Sequence, residues 1–460
     1  PGYKNMKLAI VILLLLAVAY GAREQDLMKS PLPGCSQSNF KQYSGYLDVT
    51  ADKKFHYIYV ESEQAPADKP VVFWFNGGPG CSSMIGYIQE HGPCVFLEDS
   101  DHAPRDNPYS WNKFANMVYL ESPAGVGYNF YSGHYHYDDE NVSHENLKAV
   151  VEFFKAYPEL KNHELFLSGE SYGGIYIPYL ALRIHEYNQN STDKLNLKGF
   201  MIGNGVTNWK YDTTPAFVKM GWAHGLYDNA LKERIDKLNC DFAVVGAKPQ
   251  SAECKQVLKD FGESTAQVYP YDIYRPQESA YNSNQMSVEG LLRLESDSDN
   301  QAGSYARFSQ LFKNKPRNDF AVVDRFMNSA QAKAAMNIPA NYFWRECSNI
   351  NYEMLEKATQ WIYPILKDQY RMMHYSGDTD GVVPTIGTEG WMEDLGWPVT
   401  KKYTAWMADK YMIGGDTQSR GSLDLITIHG CGHMAPQWKR QPAFTAISKW
   451  LANEELPRAN

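Results

Sequence analysis

Residues Leu165-Phe-Leu-Ser-Gly-Glu-Ser-Tyr-Gly-Gly174 place G-x-S-x-G directly after a short apolar run and directly before a helix-like segment. Strand, sharp turn and helix in that order are the context in which a serine hydroxyl is lifted clear of a sheet and can act as a nucleophile. The turn requires small residues at Gly169 and Gly173, and it sets Ser171 at the head of the helix that follows. The stretch therefore predicts an α/β fold.

Outward from it, the chain repeats the same alternation. Val71 to Phe75, Met117 to Leu120, Leu197 to Ile202, Met372 to Ser376 and Leu423 to Ile428 are brief, largely apolar runs separated by glycines or helical stretches. Such runs read as strands buried on both faces of a mainly parallel sheet, with helices covering it. Before them, Tyr43 to Val49 and Phe55 to Glu61 alternate apolar and polar residues around Asp52, which predicts an antiparallel hairpin. Leu147, Val150, Val151 and Phe154 follow helical spacing after a capping-type Ser143, and Pro158 stops the pattern. Pro442 in a first turn, with Phe444, Ile447 and Leu451 on one face, marks a C-terminal helix. From about Trp209 to Tyr342 the strand rhythm stops, which predicts an insertion or cap, with loop-like composition from Ser296 to Ser304.

A serine hydroxyl is a weak nucleophile and needs a base, itself oriented by an acid. In this kind of fold both follow the serine, acid before histidine. Gly377-Asp-Thr-Asp-Gly-Val-Val-Pro384 follows one strand and His429-Gly-Cys-Gly-His-Met-Ala-Pro436 follows the next. Strand ends are where sites gather in an open parallel sheet. Spacing leaves Asp378 or Asp380, and His429 or His433. Upstream, Phe73-Trp-Phe-Asn-Gly-Gly-Pro-Gly-Cys-Ser-Ser83 follows another strand, and its glycines allow backbone N–H groups to approach a developing oxyanion.

Composition narrows the function classes. With 460 residues, 43% hydrophobic and 21% charged, the chain buries a large core and is not a disordered segment. Its net charge of −9, from 44 Lys+Arg and 53 Asp+Glu, gives no general attraction to nucleic acid or anionic membranes. Lys4 and Lys7 before an apolar run from Leu8 to Ala19, then small residues to Ala22, have the order of a secretory leader. Met6 is read as its start, and twelve apolar residues are too few for a membrane span. No stable membrane insertion is expected. Export makes the seven cysteines candidates for disulfides with one left over, and Asn141 and Asn190 candidate glycan acceptors. The cysteines lack paired metal-site spacing, so no metal is expected.

Several blocks together are more specific than any one. W-F-N-G-G-P-G-C-S-S from Trp74, E-S-P-A-G-V-G-Y from Glu121, G-E-S-Y-G-G from Gly169, G-N-G from Gly203, S-G-D-T-D from Ser376 and G-H-M from Gly432 occur in one order from Tyr43 to about Trp450. By these the chain resembles the serine carboxypeptidases, the secreted and lysosomal or vacuolar group that includes carboxypeptidase Y and cathepsin A. The resemblance implies an α/β-hydrolase fold with residues 1–21 as leader and upstream sequence, 22–208 and 343–460 as the two parts of the core, and 209–342 as a helical cap. It implies Ser171 as nucleophile, His433 as general base and Asp380 as its partner. It also implies Gly78 and Tyr172 as oxyanion donors, and Asn76, Glu90 and Glu170 as the group that receives a substrate's C-terminal carboxylate. No cofactor is implied.

Two carboxyls that share a proton can hydrogen-bond to a carboxylate, whereas two ionised ones repel it, so an acid optimum follows as an expectation. The partners implied are peptide and protein C-termini, with a homodimer left open. The destination implied is the secretory pathway, then lysosome or vacuole or the extracellular space. Acyl transfer from an ester donor and a protective role toward another protein are the alternatives that relatives of this kind bring. By the same resemblance Cys81 pairs with Cys347, closing a loop worth about 5–6 kcal/mol in the chain-entropy model. Cys240 is expected to pair with Cys254. Cys35 and Cys94, outside the family's commonest pattern, are expected to pair with each other. Cys431, two residues from His433, is then the odd thiol, and inhibition by mercurials is the expectation. Gly173 stands where many relatives have alanine.

Overall fold

The computed structural model describes residues 24–97, 103–276 and 318–458. The leader at 1–21 and the loop at Ser296 to Ser304 lie outside the described residues.

The strands form where the apolar runs are. β1 (Gln42–Thr50) and β2 (Lys53–Val60) make the hairpin, followed by β3 (Val71–Phe75), β4 (Asn116–Leu120), β5 (Leu165–Glu170), β6 (Leu197–Gly203), β7 (Arg371–Gly377), β8 (Lys401–Met407), β9 (Ile413–Arg420) and β10 (Leu423–Ile428). Across the sheet they run β1-β2-β4-β3-β5-β6-β7-β10-β9-β8. The six strands from β4 to β10 pair in parallel, and an antiparallel hairpin closes each edge. The second hairpin, β8 with β9, has no counterpart in the sequence expectations. Five consecutive β8 residues are exposed, so this edge strand carries no buried run to announce it.

Alternate residues of the central strands enter two cores. Phe73, Leu167, Phe200 and Met372 face α1 (Asp139–Ala156) and α2 (Gly173–Asn190), while Trp74, Phe166, Met201 and Met373 lie in the opposite layer. Burial on both faces is why these strands read as continuous apolar runs. α1 begins earlier than expected. Asp138, not Ser143, caps it: Asp138 Oδ1 accepts from the Asn141 N–H at 2.7 Å while Asn141 Oδ1 accepts from the Asp138 N–H at 3.1 Å. Its buried stripe accordingly runs through Val142, Ala149, Val150 and Phe153, with Leu147 and Val151 only partly covered.

Between β6 and β7 the described residues hold α3 (Thr214–Ala223), α4 (Asn229–Leu238), α5 (Ala252–Ser264), α6 (Asn318–Met327) and α7 (Ala330–Ala335). Phe217, Leu231, Ile235, Val257 and Phe261 give α3 to α5 a small core of their own. α8 (Thr385–Asp394) follows the β7 loop. α9 (Arg440–Leu451) buries Ile447 and Leu451 with Trp450, whose indole N–H donates to Asp424 Oδ2 at 2.8 Å.

Cys35 is joined to Cys94, Cys81 to Cys347, and Cys240 to Cys254. The second tie holds the turn after β3 against the chain returning from the helical segment, reinforced by Ser82 N–H to Glu346 O and Ser348 N–H to Gly80 O, both 2.8 Å. Among the described residues no helix is long and apolar enough to cross a membrane.

Candidate active site

β5 ends in a turn that puts Ser171 at φ +61°, a left-handed conformation a serine adopts only under constraint. The constraint is visible: Ser171 N–H donates to Gly203 O, and Ser171 O accepts from the N–H groups of Gly174 and Val206, all at 3.0 Å. Such a strained residue costs on the order of 1–3 kcal/mol, which the neighbouring strands and helix offset. α2 leaves the turn at once. A Cβ on Gly174 would stand 2.2 Å from Val206 O, so this position has to be glycine, whereas one on Gly173 would meet only Phe75 O at 3.3 Å.

The block after β3 lies directly against this turn. A Cβ on Gly77 would come within 2.4 Å of Tyr172 N and 2.8 Å of Ser171 Cβ, so only glycine lets the two backbones approach this closely. Gly78 follows at φ +113°. The backbone around Gly78 and that of Tyr172 thus border Ser171 from two separate segments.

The loops after β7 and β10 meet at a buried carboxylate and imidazole. Asp380, fully buried, accepts from His433 Nδ1 at 2.7 Å on Oδ2, from Val383 N–H at 3.0 Å on the same oxygen, and from Val382 N–H at 2.8 Å on Oδ1. Three donors anchor the acid, and the acid holds the ring. The other two candidates are elsewhere. His429 is exposed and pairs with Asp416 Oδ2 at 3.0 Å, while Asp378 accepts from Gly430 N–H at 2.8 Å and stands 4.0 Å from His429. Spacing could not separate the pairs because one loop offers two acids, two positions apart, and the other two histidines, four positions apart.

Beside the turn, Asn76, Glu90 and Glu170 form a buried cluster. Asn76 Nδ2 donates to Glu90 Oε1 and to Glu170 Oε1, each at 3.0 Å, and its Oδ1 accepts from Trp74 Nε1 at 2.7 Å and Gly86 N–H at 2.9 Å. The amide orientation is therefore fixed from both ends. Among the described residues, Glu90 Oε2 and Glu170 Oε2 are buried with no hydrogen-bond partner of standard geometry. Burial pushes the Glu90 carboxyl up to about 7, and burial together with the Glu90 charge pushes Glu170 up as well. The pair holds protons well above the usual carboxyl range. His433 is close enough to Glu90, and Asp380 to Glu170, to act on those carboxyls electrostatically, so cluster and imidazole share one site.

Three supports of the site escaped the sequence reading. Asn204 of the G-N-G block accepts from Gly377 N–H at 2.9 Å and donates to Ser376 Oγ at 3.1 Å, tying the ends of β6 and β7 together. Arg440 of α9 donates to the carbonyls of Glu90, Gln89 and Phe96, holding the short helix that carries Glu90. Tyr271 accepts from His433 N–H at 2.7 Å through its carbonyl and sets its ring edge-on to the imidazole at 5.2 Å. Only the asparagine sat in a block that could have flagged it.

Cys431 is the free thiol, as expected. It is fully buried, its thiol lies 3.5 Å from Ile428 O, and burial pushes the thiol well above its ordinary value. A protonated thiol closed off from solvent is a poor target for mercurials, despite its nearness in sequence to His433. Asn190 is exposed at the end of α2, whereas Asn141 is part of the α1 capping pair and its Ser143 is buried.

A family model described as serine carboxypeptidase matches residues 33–453. The chain is 31% identical to serine carboxypeptidase-like 34 of Arabidopsis thaliana, covering 95% of this chain and 90% of the relative. It is 30% identical to the lysosomal protective protein of Mus musculus, covering 96% and 98%. Its structure is similar to that of KEX1(Δ)p, a prohormone-processing carboxypeptidase from Saccharomyces cerevisiae, with a TM-score of 0.74, 19% identity, and coverage of 94% and 96% of the two chains.

Proposed function

Because this chain belongs to the serine carboxypeptidase family, we propose that it releases C-terminal amino acids from peptides and proteins, with Ser171, His433 and Asp380 as its triad. Ser171 Oγ attacks the last peptide carbonyl as the imidazole of His433, fixed through Nδ1 by Asp380, takes the serine proton on Nε2. The carbonyl oxygen, now an anion, is received by the backbone N–H groups of Gly78 and Tyr172. Collapse breaks the C–N bond, His433 gives its proton to the departing amine, and water then hydrolyses the acyl-enzyme through the same base.

The observation that carries the exopeptidase reading is the buried pair held by Asn76. A carboxyl pair that retains a proton can donate to the substrate's terminal carboxylate, and this one sits on the residue before the nucleophile. Binding is favoured in acid and weakens as pH rises through about 7, the value to which Glu90 is pushed. Acyl transfer from an ester would use the same triad but has no need of this pair. The acid preference accords with passage through the secretory pathway to an acidic compartment, as does the exposed Asn190 as a glycan acceptor.

The test is to compare an N-blocked dipeptide with its C-terminal amide. Removal of the carboxylate lowers kcat/KM by about a hundredfold or more if the pair receives it. Equal turnover of the two would mean that the pair recognises something else.

A further inference from the structure

Three hydrogen bonds converge on a buried carboxyl that the reaction described above does not use. Asp139, the first residue of α1, accepts on Oδ1 from the Tyr172 hydroxyl at 2.7 Å and the Tyr352 hydroxyl at 2.9 Å, and on Oδ2 from the Leu355 N–H at 3.0 Å. These bonds join the start of α1, the turn carrying the nucleophile, and the chain returning toward β7. The Tyr172 ring is fully buried and meets Tyr176 and Tyr352 edge-on at 5.3 and 5.6 Å.

We infer that Asp139 is a positioning residue for the reaction: by holding the far end of the Tyr172 side chain, it fixes the Tyr172 backbone N–H where the oxyanion develops. The inference rests on the proposed oxyanion role of Tyr172. The peptide between Ser171 and Tyr172 carries that N–H, and its direction depends on the torsions on either side. Ser171 is held from the sheet side through Gly203 and Val206. On the helix side the side chain leaves the Tyr172 Cα, so pinning its hydroxyl restricts the backbone torsion beside the N–H. A donor that must meet a transient charge gains from such support, because a misplacement of about 1 Å can cost about a hundredfold in rate.

The chemistry of the site fits a support whose Oδ1 accepts in either protonation state: below about 7, where burial keeps the carboxyl protonated, Oδ1 still receives both tyrosyl hydroxyls. All three partners of Asp139 are N–H or O–H groups, and a carboxylate satisfies them together. Burial pushes the carboxyl up to about 7 while the bonds from Tyr172, Leu355 and Tyr352 oppose that shift. An asparagine could still accept both tyrosyl hydroxyls on one oxygen, but its amide would turn a donor toward the Leu355 N–H.

Kinetics of Asp139→Asn, Asp139→Leu, Tyr172→Phe and the Asp139→Leu/Tyr172→Phe double variant test this, using an N-blocked dipeptide and the rate of inactivation by diisopropyl fluorophosphate. Tyr172→Phe keeps both the ring and the backbone N–H. Asp139→Leu and Tyr172→Phe each lower kcat and the inactivation rate by about tenfold with KM changed by less than about twofold, the double variant falls no further, and Asp139→Asn keeps activity within about threefold. Unchanged kcat in Tyr172→Phe, additive losses, or a change confined to KM overturns the inference, and Tyr172→Phe alone decides if Asp139→Leu does not fold. Ser171→Ala, run in parallel, separates the two levels: full activity there defeats the triad reading itself, whereas its loss beside an unaltered Tyr172→Phe defeats only the role of Asp139.

Discussion

The carboxyl of Glu170, the residue immediately before Ser171, accepts a hydrogen bond from Asn76 at 3.0 Å, and the same amide nitrogen donates to Glu90 at 3.0 Å. One asparagine thus links the turn after β3, the short helix ending at Glu90 and the turn after β5. In the function proposed above, substrate recognition and nucleophile fall on adjacent residues, Glu170 and Ser171.

This sharing predicts how KM varies with pH. In the wild-type protein, KM for an N-blocked dipeptide rises as pH passes about 7, because the pair loses the proton it donates to the substrate. Glutamines keep an N–H donor at every pH. The Glu90→Gln/Glu170→Gln variant is therefore predicted to show a KM that is nearly flat from about pH 5 to pH 8, measured by steady-state amino-acid release. A wild-type KM that is itself flat would remove the pair from binding.

The two acids of the loop after β7, which spacing alone leaves open and of which the resemblance selects Asp380, predict opposite outcomes. Asp380→Asn removes the buried acid that orients His433 and lowers kcat by about 10⁴-fold. Asp378→Asn, whose carboxylate accepts from Gly430 and faces the exposed His429, leaves kcat within about threefold. Parallel assays of the two purified variants check the assignment.

The parallel strands were legible because both faces are buried, so apolar runs such as Val71 to Phe75 and Leu423 to Ile428 stand out with their observed bounds. The β8–β9 hairpin was not, since Lys401 to Ala405 face solvent. In the site, the glycines after β3 were legible as backbone open to close approach, and Gly77 does lie against Tyr172 N. The local residues could not separate Asp380 from Asp378 or His433 from His429, because the difference lies in which loop residue turns inward. Tyr271 and Arg440 were invisible for a related reason. Each acts through contacts with residues far away in sequence, and neither belongs to a recognisable pattern.

Steric room in the nucleophile turn predicts a sharp contrast between adjacent glycines. Gly173→Ala needs a shift of a few tenths of an ångström from Phe75 O and gains helix propensity, so its stability change is under about 1 kcal/mol. Gly174→Ala drives a methyl into Val206 O and costs on the order of 1–3 kcal/mol, with activity lost as the turn shifts. Denaturant unfolding of both variants gives the comparison.

Buried carboxyls also set the direction of stability with pH. Glu90, Asp139 and Asp212 are each pushed up to about 7, and Glu170 is raised. A raised folded-state value means that the stability contributed is full below the unfolded carboxyl range and is lost as pH climbs to about 7. His91 and His374, buried and pushed down, act in the opposite sense, losing stability as pH falls below the unfolded histidine value. Four carboxyls outnumber two histidines, so Tm is predicted to be higher at pH 5.5 than at pH 7.5. Calorimetry at the two values checks the sign, and the Glu90→Gln/Glu170→Gln variant narrows the difference.

The most direct measurement of the central claim is the release of free amino acid from an N-blocked dipeptide by the purified, disulfide-intact protein across pH 4 to 8, with Ser171→Ala as control. The account predicts release that is greatest in acid and falls to background in the variant. Release that persists in Ser171→Ala, or none at any pH from the folded wild-type protein, would contradict it.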